Sequence, residues 1–484
     1  MNWPAIANVI GTLLVLVAAS LVPPLICAMI YAEGDVAALV TGAAVPLALG
    51  APLWMRFRRA VDLGVRDAAV AAVVGWTLVS AASALPFVIH GSIPSFVDAV
   101  FEMMSGYTTT GATILEDIEA VPHGLLLWRS ETHLLGGMGF LTLIVLFLPR
   151  GIDGLRLFRA ESSPGQVITR ERVLPRTRDV MVRLWGIYLG LTALQTLLLV
   201  FGGMSFFDSL CHAFGTVSTS GYSPKNASIG HYDSAWIDWV TIVFMFAGGL
   251  SFVLLLRVFS GDRRALWINT ELRWYLGLLA ALCGGATLLL WTRGGLGFGE
   301  ALTDGTFQVV SLLTTTGFTT TDYELWPQAA QMLLVVACFV GACAGSTTSG
   351  IKVVHFVLLW KFCVAAIKKM FFQPLAVISV RLDRQPVAED AIHLAVAYFA
   401  VNVLLVLLGG IVMTLTDDLD AASAMSATVA SLMNIGPGFG AVGPSHTFAP
   451  LSDAGKVFLA WLMLVGRLEM FTALVVFYPA FWRR

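Results

Sequence analysis

Four short polar segments end on glycine: Thr108-Thr109-Thr110-Gly111, Ser218-Thr219-Ser220-Gly221, Thr314-Thr315-Thr316-Gly317 and Asn434-Ile435-Gly436. They follow one another at steps of roughly a hundred residues, the mark of an internal repeat. Residues of this kind can take over the water shell of a cation. An ion entering a membrane exchanges its hydration for other oxygens, and rings of backbone carbonyls supply them. Glycine permits the dihedrals that turn successive carbonyls toward one axis. The flanking Thr and Ser hydroxyls either fix the loop or coordinate the ion. No acidic residue recurs in the four loops, which argues against a carboxylate-lined filter. One such loop alone is an ordinary turn. Four in the same context are not.

The context is a membrane. Hydrophobic residues make up 57% of the 484 positions and charged residues 12%, against about 25% charged in soluble domains. Ten long apolar runs lie at 6–30, 36–55, 69–90, 124–148, 184–203, 236–256, 274–292, 328–360, 391–415 and 453–480, each near the ~20 residues that span a bilayer. Shorter apolar stretches at 95–107, 206–217, 300–314 and 419–433 cannot span, and each is followed by a glycine loop. They read as re-entrant pore helices. The pattern predicts an all-α polytopic membrane protein. A two-helix hairpin over 1–60 precedes four helix–pore-helix–loop–helix repeats over 67–160, 180–260, 270–370 and 388–482, around a pseudo-four-fold pore.

Most of the 29 Lys and Arg fall on one side of this arrangement. They are Arg56, Arg58, Arg59 and Arg66; Arg150, Arg156, Arg159, Arg170, Arg172, Arg176, Arg178 and Arg183; Arg257, Arg263, Arg264 and Arg273; Lys361, Lys368, Lys369, Arg381 and Arg384; and Arg483-Arg484. Positive residues stay inside, so both termini are expected in the cytoplasm and the glycine loops open outward. Each pore helix then points its negative C-terminal end at the pore centre, which favours a cation there. No basic residue precedes the apolar run Ile6–Ile30, so it reads as a retained helix and not a cleaved signal, with Pro23-Pro24 kinking or ending it. The six cysteines, Cys27, Cys211, Cys283, Cys338, Cys343 and Cys363, read as small buried hydrophobes and not as a metal or disulfide set.

Two features lie on the cytoplasmic side of the loops. The run 328–360 is interrupted by Gly341-Ala342-Cys343-Ala344-Gly345-Ser346-Thr347-Thr348-Ser349-Gly350. Freed backbone at membrane depth is tolerated only where protein or a wet cavity surrounds it. This stretch, 341–350, reads as an intramembrane gating loop; close helix packing through small residues is the plainer alternative. Arg467 reads as a mid-helix charge. Such a charge costs at least ~2.5 kcal/mol, so it must face protein or water and have a role. Its pairing with Glu469 is disfavoured, because residues two apart do not share a helix face. Lys352, just past the loop, reads as an anchor to a carboxylate or carbonyl.

The chain resembles the superfamily of potassium transporters typified by TrkH, with its relatives TrkG and KtrB. The resemblance rests on Phe101-Glu102 before Thr108–Thr113, Gly136-Gly137-Met138-Gly139, Arg159-Ala160-Glu161 with Pro164-Gly165, and Thr314–Phe318. It continues through Gly345-Ser346-Thr347 with Gly350-Ile351-Lys352, Asn434–Gly438 and Gly466-Arg467-Leu468-Glu469. Thr219-Ser220-Gly221-Tyr222 departs mildly, since a second glycine and Phe are expected there. The resemblance implies potassium uptake across the bacterial inner membrane, without enzymatic activity and without a nucleotide bound by this chain. It implies K+ held by Thr109, Thr110, Gly111, Thr219, Ser220, Gly221, Thr315, Thr316, Gly317, Asn434, Ile435 and Gly436. It places a gate at Gly345, Ser346, Thr347, Gly350 and Lys352, with Arg467 obstructing the pore below the filter. It also implies a homodimer and a TrkA-like cytoplasmic regulatory subunit with Rossmann-type nucleotide-binding domains.

Other functions fit less well. A solute transporter calls for inverted repeats and a charged midplane site, whereas these repeats share one topology. A membrane enzyme calls for convergent polar residues. The histidines are dispersed, with His133 in a structural or vestibule role, and no HExxH or GxSxG occurs.

Overall fold

The structure is a computed structural model that describes residues 1–58, 63–139, 177–371, 379–383 and 385–483. Helix α1 (Trp3–Ser20) continues into α2 (Val22–Tyr31), and α3 (Val36–Phe57) packs back on α1. The step at Leu21 precedes Pro23 and Pro24, which fit the first turn of a helix and not its interior. The first repeat comprises α4 (Val65–Ser83) with α5 (Leu85–His90), α6 (Phe96–Tyr107) and α7 (His123–Gly137). The second comprises α8 (Thr177–Phe201), α9 (Phe206–Val217), α10 (Ala235–Gly248) and α11 (Phe252–Phe259), with α12 (Arg264–Ile268) leading on. The third holds α13 (Thr270–Arg293), α14 (Phe298–Leu313), α15 (Gln328–Phe339) and α16 (Val353–Phe371). A two-stranded hairpin, β1 (Arg381–Leu382) and β2 (Gln385–Pro386), precedes the fourth. That repeat has α17 (Glu389–Asp417), α18 (Ala421–Leu432), α19 (Asp453–Arg467) and α20 (Phe471–Leu474). The chain is thus an all-α polytopic membrane protein of four tandem repeats with an N-terminal hairpin.

The short apolar stretches are helices α6, α9, α14 and α18, and their starts are written in the sequence. Ser95 and Ser205 accept from the N–H groups of Asp98 and Asp208, which also place a negative charge in the first turn. Asp420 caps α18 by accepting from Ala422 and Ser423 N–H. Hydrogen bonding by Ser423 holds its carboxyl below the usual range. The first pore helix is tied to the fourth repeat by an ion pair between Asp98 and Lys456 at 2.7 Å.

In the second, third and fourth repeats the second helix departs from the expected single span. Among the described residues six single helical segments are long and apolar enough to cross a bilayer, and none of them is α7, α10, α15 or α19. Helix α10 turns by 96° into α11, and α19 turns by 120° into the segment Phe471–Phe477. Helix α15 stops at Phe339, and α7 stops at Gly137. The rest of the run 124–148, from 140 on, lies outside the described residues. So do Arg59, Arg150, Arg176, Arg384, Arg484 and the Arg159-Ala160-Glu161 and Pro164-Gly165 stretches. Near their ends α7 and α19 touch the ends of pore helices α6 and α18. A Cβ on Gly136 would lie 2.0 Å from the Tyr107 carbonyl, and one on Gly466 would lie 2.0 Å from that of Leu432. The helix approaches so closely at these two positions that only glycine fits. Arg467 is the last residue of α19 and not a mid-helix charge, at the negative end of the helix, where a cation is favoured.

This contact predicts that Gly466→Ala destabilises the protein by roughly 1–3 kcal/mol, as overpacking does. Thermal unfolding of the purified variant in detergent reads the loss; an unchanged melting temperature contradicts the contact.

Candidate functional site

All four pore helices end in the same way. The residue after each C-cap is left-handed: Thr109, Thr219, Thr315 and Asn434 all have φ of 54°. Their N–H groups donate to Gly106, Thr216, Leu312 and Ser431. The next N–H groups, of Thr110, Ser220, Thr316 and Ile435, reach back to Ser105, Gly215, Ser311 and Ala430. This is a Schellman closure, with threonine or asparagine where glycine is usual. A left-handed β-branched residue costs about 1–2 kcal/mol and persists only where its surroundings fix it. Gly111, Gly221, Gly317 and Gly436 follow, at φ of 82°, 82°, 81° and 96°.

The four glycines close a ring. A Cβ on Gly111 would lie 2.1 Å from the carbonyl oxygen of Ser220, and one on Gly221 would lie 2.0 Å from that of Thr316. On Gly317 it would meet Ile435 O at 2.1 Å, and on Gly436 it would meet Thr110 O at 2.6 Å. Each repeat thus presses a carbonyl into the space its neighbour's glycine leaves open. All four glycines line a single cavity of about 90 Å³. The hydroxyls beside them act within the loops. Thr108 and Thr110 bond each other at 2.8 Å, as do Thr314 and Thr316, and Ser218 pairs with Ser220. Asn434 instead reaches into the first repeat, donating to Thr110 Oγ1 at 2.8 Å and to the Met463 carbonyl at 2.9 Å. The twelve residues expected to hold an ion therefore come together, and the hydroxyls of Thr110, Ser220 and Thr316 are engaged within their own loops.

Beneath the ring lies the segment 340–352. It is strapped on every side. The Cys343 and Thr347 N–H groups donate to Gly249 and Gly248, and Phe252 N–H donates to Gly345. Ser349 N–H donates to Thr315 Oγ1 at 3.1 Å, directly under the third loop. Thr347 Oγ1 donates to the Val217 carbonyl at 3.0 Å, and Ser346 pairs with Thr348 at 2.6 Å. Gly345 and Gly350 are left-handed, with φ of 73° and 74°. Lys352 folds back on the segment, donating to the carbonyls of Thr348 and Ser349. Arg467 joins the segment to the ring. Its guanidinium donates to Thr109 Oγ1 at 3.1 Å, Thr347 O at 3.0 Å, Gly136 O at 2.5 Å and Gly137 O at 2.8 Å.

Three comparisons with known proteins bear on this geometry. A family model described as TrkH, cation transport protein, matches residues 36–484. The chain belongs to the TrkH family. The Trk system potassium uptake protein TrkH of Salmonella typhimurium is 36% identical over 490 positions, covering all of both chains. The TrkG protein of Escherichia coli K12 is 30% identical, covering 99% of this chain and 98% of its own. The crystal structure of the potassium transporter TrkH from Vibrio parahaemolyticus superposes with a TM-score of 0.89 at 32% identity, over the whole of both chains.

Two carboxylates that brace this TrkH-family site were not assigned roles by sequence reasoning. Glu271, at the start of α13, accepts from Ala344 N–H at 2.7 Å and Val354 N–H at 3.2 Å, gripping the segment 340–352 near both ends. Glu102 lies behind the first loop. It accepts from Thr113 Oγ1 and Ile114 N–H, both at 2.9 Å, and pairs with Arg129 at 2.7 Å, both side chains fully buried. The Arg129 guanidinium sits 3.5 Å over the ring of Tyr222, whose hydroxyl donates to the Glu102 carbonyl at 2.6 Å. His133 stacks on the same ring at 4.0 Å. The first two loops thus share one brace. The available signal was an acid seven residues before Thr109 with no acid in its counterparts, His212, Gln308 and Ala427.

Removing one partner of a buried ion pair typically costs about 3–5 kcal/mol. Glu102→Gln is therefore expected to lower the melting temperature strongly. Lys225→Gln, in the partly exposed 3.8 Å Lys225–Glu119 contact, should leave it within error. Equal effects of the two would remove the brace.

Proposed function

We propose that this chain carries potassium into the cell across the bacterial inner membrane, through the ring of four glycine loops. The observation that carries the reading is the ring itself: four left-handed glycines, each closed on a neighbour's carbonyl, at the C-terminal ends of four converging helices. Such ends bear partial negative charge, and backbone oxygens can replace the water shell of potassium. The relatives named potassium uptake proteins agree with that ion. In this reading Thr109, Thr110, Gly111, Thr219, Ser220, Gly221, Thr315, Thr316, Gly317, Asn434, Ile435 and Gly436 form the filter. The four repeats act as quadrants of one pore, and the hairpin 1–60 stands outside it. Both termini are cytoplasmic, as the basic residues require.

The segment 341–350, with Gly345, Ser346, Thr347, Gly350 and Lys352, is the gate, and Arg467 is its bolt. A cation passing within about 4 Å of a guanidinium meets roughly 4 kcal/mol at an effective dielectric near 20. Opening requires the straps on Thr347 and Ser349 to be exchanged for others. A cytoplasmic regulatory subunit with nucleotide-binding domains, acting on a homodimer of this chain, would supply the work.

Rubidium uptake by a strain lacking its own potassium systems tests the function; a strain that expresses the chain in its membrane and takes up no rubidium refutes it. In the same strain Gly317→Ser places a side chain against the Ile435 carbonyl, so discrimination against sodium is expected to fall. Retained discrimination would move the filter elsewhere. In liposomes, Arg467→Ala and deletion of 343–349 should each raise potassium flux at least several-fold. Folded variants that conduct no faster than the parent would remove the barrier and the gate.

A further inference from the structure

The basic face of the molecule carries a cavity away from the ring. It has a volume of about 710 Å³ and lies between the start of α13, the middle of α16 and the β1–β2 hairpin. Arg273, Lys361 and Arg381 line it together with Trp274, Thr270 and Asp383. Among the described lining residues, three cations meet one carboxylate. That carboxylate is already engaged, because Asp383 Oδ1 accepts from Thr270 N–H at 2.7 Å and Asp383 N–H donates to Thr270 Oγ1 at 3.3 Å. These two bonds dock the hairpin on α13. Lys361 Nζ donates to the Arg381 carbonyl at 2.7 Å, which holds the ammonium at the wall and uses one of its three donors. Three positive groups around an open cavity call for an anion of more than one oxygen. Guanidinium forks match phosphate oxygens in pairs.

We propose that this cavity binds a phosphate-bearing anion. Its surroundings favour the headgroup of an anionic phospholipid as the source. Trp274 and Leu278 put apolar surface in the cavity wall, Trp274 is 42% exposed, and Trp267, Ile268 and Leu276, close to it in sequence, are also exposed. Tryptophan and basic side chains together are what the interface of a bilayer collects. The neighbour of Thr270 is Glu271, which grips the segment 340–352, so the bound anion would sit one residue from that grip.

Native mass spectrometry of the delipidated full-length chain tests the site. Wild type, Arg273→Gln/Lys361→Gln and Lys361→Arg are each titrated with phosphatidylglycerol, phosphatidylcholine and inorganic phosphate. Both altered residues lie at the cavity wall, and size-exclusion profiles check the fold. Phosphatidylglycerol is expected to bind wild type and Lys361→Arg alike and the double variant at least tenfold more weakly, with phosphatidylcholine unaffected. The same loss for inorganic phosphate, with phosphatidylglycerol unchanged, would support the site and assign it to a soluble anion. Equal binding of both phosphate-bearing probes to wild type and the double variant would overturn the proposal. So would a tenfold loss for phosphatidylcholine as large as that for phosphatidylglycerol.

Discussion

The carbonyl of the residue before each ring glycine stands where the glycine of the preceding repeat would carry a Cβ, and the rest of the fold is arranged to keep it there. Ser220, Thr316, Ile435 and Thr110 supply these carbonyls in turn around the ring. For the contacts to close, four pore helices must end at the same height and in the same register. The left-handed residue after each C-cap does this by satisfying the helix-end carbonyls and turning the chain at once. The strain of threonine in that conformation is held by hydroxyl bonds inside each loop and by braces behind it.

The same constraint reaches downward. A ring this tight brings the second helix of each repeat against a pore-helix terminus, and Gly136 and Gly466 mark the two closest approaches. The helices bend away, and backbone that would be hydrogen-bonded within a helix becomes available under the ring. The segment 340–352 uses it, donating to Gly248 and Gly249 and accepting from Phe252 N–H at the Gly345 carbonyl, where an unbroken α10 would have left nothing to bond. Arg467 has the same origin, since the end of α19 both exposes acceptors and attracts its charge.

The pore helices, their loops and the order of repeats were legible because each is local: a short apolar stretch, a cap at its start and a glycine after its end. The breaks in the second helices were not, because they come from contact between segments distant in sequence. Runs such as 236–256 are apolar throughout, and hydropathy does not register a 96° turn. Arg467 stood out in the sequence as a charge inside an apolar run, but its place at a helix end followed from the bend. Glu102, Arg129 and Tyr222 find one another across two repeats, and Glu271 reaches the segment 340–352 from the start of the preceding helix pair. Nothing in the spacing of those residues announces the encounter.

The joint between the fourth and first repeats differs from the other three. Gly436 meets Thr110 O at 2.6 Å, more loosely than its counterparts, and its φ of 96° is the widest of the four. Side chains compensate: Asn434 reaches Thr110, Lys456 reaches Asp98, and Arg467 reaches Thr109. The other joints link quarters that are consecutive along the chain, whereas this one fastens the end of the polypeptide to its beginning, like the buckle of a belt. During synthesis the first three quarters can stack as they enter the membrane, but the hoop stays open until the last helix arrives. An unfinished chain therefore has most of the wall of a conduit and none of its closure, so a truncated product would not present a completed ring to the membrane.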